Sequence, residues 1–246
     1  WVASSYTESY STVVPLWQDL KGKTETQFPE VFALAQILKI SAWHKATDMF
    51  GPIPYKEAGK GLITVPYDSQ EEVYKAMFKE LSDAIEVLTK YADNGNSKLL
   101  PNADAVYAGD VHKWVVYANS LMLRLAMRVY YADAALSKKY ALQAVNHSYG
   151  VMKTKDDEAK MERGASLEFK NNLDVLINQY NECRMGSSML AYLGGYQDPR
   201  LPKYFNTSTV SQAVTVGTYG KYSGVPTGHD VSSNDAFRDS SRPAIT

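Results

Sequence analysis

His44 and Asp48 stand four residues apart, so on a helix they share a face and could together hold a metal ion. A tetrahedral site needs further ligands. None is evident in a segment that is apolar on most sides, so a structural hydrogen bond is the expected role, with no metal and no cofactor. Asp93-Asn94-Gly95-Asn96-Ser97 has the opening of a calcium loop, but Lys98 stands where such a loop requires glycine, which leaves an inter-helical turn. Glu71-Glu72 and Asp156-Asp157 would resemble glycosidase carboxylates only if sequence neighbours could face one sugar; solvated helix starts explain them better. Arg124 and Arg128, also four apart, could clamp an anion. The favoured alternative is that they pair with acidic residues of an adjacent helix and cover its edge with their aliphatic stems. Nucleophile elbows, Walker loops, dinucleotide fingerprints and zinc-protease helices are absent, so no enzyme activity is expected.

The remaining chemistry is aromatic. Eighteen Tyr and four Trp supply flat apolar faces with polar edges, suited to stacking on sugars or to packing at interfaces. Tyr196, Tyr219 and Tyr222 lie in Gly-rich segments where a ring can be presented to solvent. Asp198, Arg200 and His229 are near in sequence as polar partners, and the competing role for Asp198 and Arg200 is to brace the loop. Trp1 and Tyr6 join the candidates if the N-terminal segment crosses the same face.

The elements that must position these groups are helices. From Glu30 to Met49, Val31, Leu34, Ala35, Leu38, Ala42 and Ala46 recur at three- and four-residue steps, and Phe32, Ile37, Ile40 and Trp43 fill a second face. Gly51-Pro52-Ile53-Pro54 ends that helix. Ser69 and Glu72 have capping-box spacing, after which Val73, Met77, Leu81, Ala84, Ile85, Leu88 and Tyr91 form one stripe. A third helix is expected from Val111 to about Tyr131 with Trp114, Ala118, Leu121, Met122 and Leu125 inward, and a fourth over Ser137 to His147. The stretch from Glu30 to His147 should therefore be almost wholly helical. Helices that each fail to hide an apolar face alone imply an all-α fold of stacked helix-turn-helix pairs, although no strict 34-residue repeat is present. After Gly150 the periodicity weakens, the one further helix being Ser187 to Leu193, and the tail is loop or short strand. The organisation expected is a single domain over 1–246, with a helical scaffold over 1–150 and a loop-rich segment over 151–246 carrying the ligand loops.

Composition narrows the partners. Twenty-six basic and 27 acidic residues leave a net charge of -1, which shows no electrostatic footprint for nucleic acid or an anionic membrane. Cys183 is the single cysteine, so no internal disulfide forms. Arg124 and Arg128 interrupt the most apolar helix, so no run reaches the roughly 18 apolar residues of a membrane span. The chain opens at Trp1 with neither an initiator Met nor a basic and apolar leader, so any export signal lies outside these residues, and the ending at Arg242-Pro-Ala-Ile-Thr246 leads us to expect further C-terminal sequence.

Three segments together resemble the SusD/RagB superfamily, in its SusD-like branch. The first is Ala42-Trp-His-Lys-Ala-Thr-Asp48-Met-Phe-Gly51-Pro-Ile-Pro54-Tyr55-Lys-Glu57-Ala58, followed by Pro66-Tyr67-Asp68-Ser69-Gln70-Glu71-Glu72-Val73-Tyr74. The second is Gly109-Asp110-Val-His-Lys-Trp114-Val-Val-Tyr-Ala118-Asn119-Ser120-Leu121-Met-Leu-Arg124-Leu-Ala-Met-Arg128. The third joins Arg184-Met185-Gly186-Ser187 to Tyr192-Leu193-Gly194-Gly195-Tyr196-Gln197-Asp198-Pro199-Arg200-Leu201 and Tyr222-Ser-Gly224-Val225-Pro226-Thr-Gly228.

The resemblance implies an all-helical, TPR-like scaffold held to the outer membrane through a lipidated N-terminal Cys. That residue is not in this sequence, and Cys183 lies too far inside the chain to replace it. It further implies capture of a nutrient, commonly an oligosaccharide, in partnership with a SusC-like TonB-dependent transporter, without catalysis. Two other functions compete: a helical scaffold that binds only a protein partner, and a glycan-cleaving enzyme.

Overall fold

The computed structural model describes residues 6–161, 172–208, 218–229 and 235–244. Trp1 lies outside the described residues. The chain divides into two units, Trp1–Glu162 and Arg163–Thr246. The fold is all-α, and the named strands among the described residues make one two-residue hairpin.

In the first unit a π-helical turn, Ser9–Val13, runs into α1 (Val14–Thr24), followed by α2 (Pro29–Phe50), α3 (Gln70–Asp93), α4 (Val111–Arg128) and α5 (Ala134–Val145). Each helix packs chiefly on its sequence neighbours, so the apolar stripe that one cannot hide is covered by the next. The α3 stripe behaves as its spacing demands: Val73, Met77, Leu81, Ala84, Ile85 and Leu88 are all buried.

Helix starts are set by side-chain caps. Ser69 Oγ accepts from the Glu72 amide at 3.2 Å while Glu72 Oε2 accepts from the Ser69 amide at 3.1 Å, closing the expected capping box. Asp110 caps α4 through the Lys113 amide at 3.1 Å, and Asp133 caps α5 through the Leu136 amide at 2.8 Å. Because Asp133 begins a new helix, α4 ends at Arg128 rather than near Tyr131, and α5 starts at Ala134, three residues before the expected Ser137.

Helix α2 departs from the simple stripe. Leu38, expected inward, is about half exposed, whereas Gln36, Lys39, His44 and Thr47 are buried. Lys39 is only 4% exposed, and its ammonium meets Glu80 of α3 at 2.8 Å. That ammonium also lies 4.1 Å from the centroid of the Trp17 ring and 4.7 Å from that of Tyr55. Tyr55 Oη donates to Glu80 at 2.7 Å, and Trp17 Nε1 donates to Gln36. One buried cation thus ties α1, α2, α3 and the loop after α2 together.

Two stretches, 51–69 and 94–110, interrupt what was expected to be nearly continuous helix. The second is organised by Asp104, whose carboxylate accepts from the amides of Val106 (2.9 Å), Tyr107 (3.1 Å) and Gly109 (2.8 Å) and from Trp114 Nε1 (2.7 Å). Burial works against its ionised form, yet those donors outweigh it and the Asp104 pKa lies below the ordinary value. Gly109 closes the loop at φ +78°, where an added Cβ would sit 2.6 Å from the Leu99 carbonyl oxygen. Asp104→Ala is expected to lower stability by about 2 to 3 kcal/mol, measured by urea unfolding. With a depressed folded pKa, the stabilisation is present above the unfolded value of about 3.9 and is lost as pH falls through the folded one, so the variant should flatten the acid limb of the stability profile.

The second unit contains α6 (Asn172–Asp174), continued as a π-helical turn over Val175–Gln179, then α7 (Ser187–Gly195), α8 (Leu201–Tyr204), the strands β1 (Thr218–Tyr219) and β2 (Tyr222–Ser223), and α9 (Asp235–Arg238). The expectation of one helix after Gly150 is therefore too sparse; the additional helical pieces are too short to leave a periodic signal. Strands β1 and β2 pair antiparallel across Gly220-Lys221. Met185, Leu190, Leu193 and Leu201 form a small core, against which Phe205 and Tyr222 pack.

Candidate functional site

The six tail residues proposed as ligand contacts do not form one cluster. Asp198 and Arg200 hold each other: the Asp198 carboxylate accepts from Arg200 Nε at 2.9 Å and Nη2 at 2.5 Å, and also caps the Arg200 amide at 2.9 Å. The guanidinium holds the Asp198 carboxyl down to about 2. Both fit the bracing role. Tyr222 is half-buried on the small core, and the His229 ring rests on Phe237 with centroids 4.7 Å apart. Tyr6 belongs to the first unit, packed on Tyr10 and Phe50 with its hydroxyl 3.3 Å from that of Tyr67.

Tyr196 is 80% exposed and has a partner that sequence reasoning passed over, Tyr192, at 67%. The two rings lie nearly parallel, 17° apart with centroids 6.3 Å apart. The pair arises because α7 runs on to Gly195 with Tyr196 as its C-cap, which places residues 192 and 196 one turn apart on a single face. A helix that ends at Leu193, as the sequence pattern alone suggests, puts Tyr196 in a loop. The i, i+4 spacing of the two tyrosines was the signal that could have found the pair.

Gly194 continues the helix for a packing reason. An added Cβ there would lie 2.7 Å from Tyr219 Cγ, so the Tyr219 ring sits directly on the glycine backbone. At about 100° per residue, Gly194 is roughly 200° around the helix from both Tyr192 and Tyr196. Tyr219 therefore backs α7 on the opposite side, although 41% of it remains exposed. Gly224 is similarly pressed on Ser187, with a Cβ contact of 2.7 Å to its Cα. The hairpin and its glycines hold α7 with the Tyr192–Tyr196 face outward.

The first unit resolves the other candidates. Asp48 accepts from Tyr74 Oη at 2.5 Å and pairs with Arg128 Nε at 2.9 Å. Burial, then the Asp48 contact, pushes the Tyr74 phenol up to about 12. His44 Nδ1 lies 3.1 Å from the Ile40 carbonyl, the structural hydrogen bond expected of it. Among the described residues no group of three or more His, Cys, Asp or Glu comes together to hold a metal ion. Glu71 pairs with Lys75 at 2.5 Å, Glu72 serves the capping box, and Asp157 caps Lys153 and Thr154, so the paired carboxylates are helix-start groups. Arg128 pairs as expected, but Arg124 does not: among the described residues it forms no ion pair, and it lines a groove with His44 and Lys45.

The described residues form an all-α scaffold that displays an exposed aromatic face, the architecture of a helical, TPR-like class of protein. The family described as Susd and RagB outer membrane lipoprotein matches residues 1–246, and the chain belongs to this SusD-like family. It is similar to a chitin-binding SusD homologue from Flavobacterium johnsoniae, with 36% identity and a TM-score of 0.86 over 97% of this chain and 48% of that one. A SusD homologue from Bacteroides vulgatus shows 30% identity and a TM-score of 0.87, covering 100% of this chain and 48% of its own. One from Bacteroides uniformis shows 38% identity and a TM-score of 0.80, covering 96% and 48%. The chain thus spans about half the length of the solved relatives it matches. No curated protein matches it. No helix among the described residues is long and apolar enough to cross a membrane.

Proposed function

We propose that this chain is part of a cell-surface glycan-binding protein, anchored to the outer membrane by lipid, which passes its ligand to a SusC-like TonB-dependent transporter without cleaving it. The observation that carries the binding step is the exposed, near-parallel Tyr192–Tyr196 pair on α7. Two ring faces one helical turn apart offer successive stacking surfaces to a sugar chain, and a face fixed on a helix loses little ordering entropy on binding. Family membership and the chitin-binding relative support a saccharide ligand and make a chitin oligosaccharide the first to try. Tyr196 and Tyr192 are the stacking residues in this reading; Asp198 and Arg200 brace the turn after α7, and Tyr219 supports the helix from behind.

Titration calorimetry with a soluble oligomer of N-acetylglucosamine tests it. Tyr196→Ala and Tyr192→Ala should each weaken binding roughly tenfold or more, about 1.4 kcal/mol, while leaving thermal stability unchanged because both rings are largely exposed. Tyr222→Ala should instead lower stability, since that ring packs on the small core. Unchanged affinity in both Tyr192 and Tyr196 variants would remove α7 from the binding site.

A further inference from the structure

We infer that the first unit carries a separate site for an acidic saccharide, a sugar bearing a carboxylate or sulfate, in the groove between α2 and α4. The groove has a volume of about 320 Å³ and is walled by Ser41, His44 and Lys45 of α2, Tyr117 and Arg124 of α4, and Met152. This deepens the glycan-binding reading and rests on it, but uses none of the α7 residues.

Three observations converge here. First, the two cations are uncommitted. Arg128, one turn beyond Arg124, is held by Asp48, and the α3 lysines Lys75, Lys79 and Lys90 each have a carboxylate four residues away. Among the described residues Lys45 and Arg124 have no such partner, yet both lie close enough to His44 for their charges to reach it. Two like charges set along one groove without a counter-ion create a local demand for an anion.

Second, His44 is 3% exposed and its Nε2 is the one buried side-chain nitrogen or oxygen among the described residues with no hydrogen-bond partner. The Ile40 carbonyl can only accept, so Nδ1 carries the ring proton and Nε2 is left as a bare acceptor. Burial is the dominant effect and holds the His44 pKa below its ordinary value, keeping Nε2 an acceptor; it outweighs the Ile40 hydrogen bond and Asp48, which favour protonation, while Arg124 and Lys45 add smaller opposition. It requires a donor, and buried polar groups seldom go without one.

Third, the rest of the wall suits a pyranose. Ser41 and Tyr117 present a hydroxyl pair 2.5 Å apart, and Met152 is apolar. A simple anion would satisfy Lys45 and Arg124 but offers no proton to Nε2, and a neutral sugar would do the reverse. An acidic saccharide supplies both, its anionic group meeting the two cations and a neighbouring hydroxyl donating to His44.

The test is calorimetric titration of the full chain with tetragalacturonate and, in parallel, with a neutral N-acetylglucosamine tetramer. The wild type should bind tetragalacturonate with an affinity that falls as salt is added, and Arg124→Gln and Lys45→Gln should each weaken it at least about tenfold. The same variants should leave neutral-tetramer binding untouched, Tyr196→Ala should weaken the neutral tetramer alone, and the ¹⁵N resonance of His44 Nε2 should shift on saturation with tetragalacturonate. Both cations are exposed, so these substitutions do not threaten folding. Equal tetragalacturonate affinity in the wild type and Arg124→Gln overturns the inference, as does tighter binding of a polyglutamate peptide, which would assign the groove to an acidic protein segment. Binding of the neutral tetramer without tetragalacturonate sinks the groove alone; binding of neither sinks the glycan reading beneath it.

Discussion

Glu80→Ala is expected to destabilise the first unit by about 3 to 5 kcal/mol in urea unfolding. The substitution strips the buried Lys39 ammonium of its ion pair with Glu80 and leaves the Tyr55 hydroxyl without its acceptor. Burial already lowers the Lys39 pKa, and Glu80 is the group that offsets this. In the variant the lysine must lose its proton or draw water inward, and either course loosens the Trp17 and Tyr55 rings that sandwich it. Glu80→Gln, which keeps a hydrogen-bond acceptor while removing the charge, should recover a minority of the loss. If Glu80→Ala unfolds like the wild type, this pair contributes nothing net and the aromatic sandwich alone holds α1.

Phe78→Ala should cost about as much, roughly 3 to 5 kcal/mol, for a different reason. Phe78 of α3 is fully buried and stacks on Tyr140 of α5 at 4.2 Å and 4°. Removing it opens a cavity between two helices that are not neighbours in the chain, and the stacking contact is lost with it. Phe78→Leu, which retains most of the volume, should restore much of the stability. A loss below about 1 kcal/mol for Phe78→Ala would show that α5 closes onto α3 to fill the gap.

Local chemistry made much of the scaffold legible. The Ser69–Glu72 box, the α3 stripe and the inward face of α4 follow from side chains acting within a turn or two of their own backbone. What could not be read was long-range pairing. Lys39 reads as an ordinary surface lysine until Glu80, Trp17 and Tyr55 arrive from three other segments. Arg124 and Arg128 both sit between apolar residues on one helix, and only the position of Asp48 separates a committed cation from an uncommitted one. The tail misled for a related reason: Gly194-Gly195 reads as a helix stop, and only the Tyr219 ring pressed against Gly194 explains why glycine is needed inside α7. The Tyr192–Tyr196 face was hidden by that misplaced boundary, not by its own spacing.

The succession in which each helix of the first unit leans on its chain neighbours also bears on how the polypeptide acquires its shape. Contacts between consecutive helices join segments near one another in the chain, and because closure entropy grows only slowly with loop length, the cost of bringing them together stays modest even across 51–69 and 94–110. Any adjacent pair can serve as the seed onto which the next helix condenses, and no distant strand must first find its place. The Phe78–Tyr140 stack joins α3 to α5, so its two rings can meet only where both helices, with α4 between them in the chain, are in register.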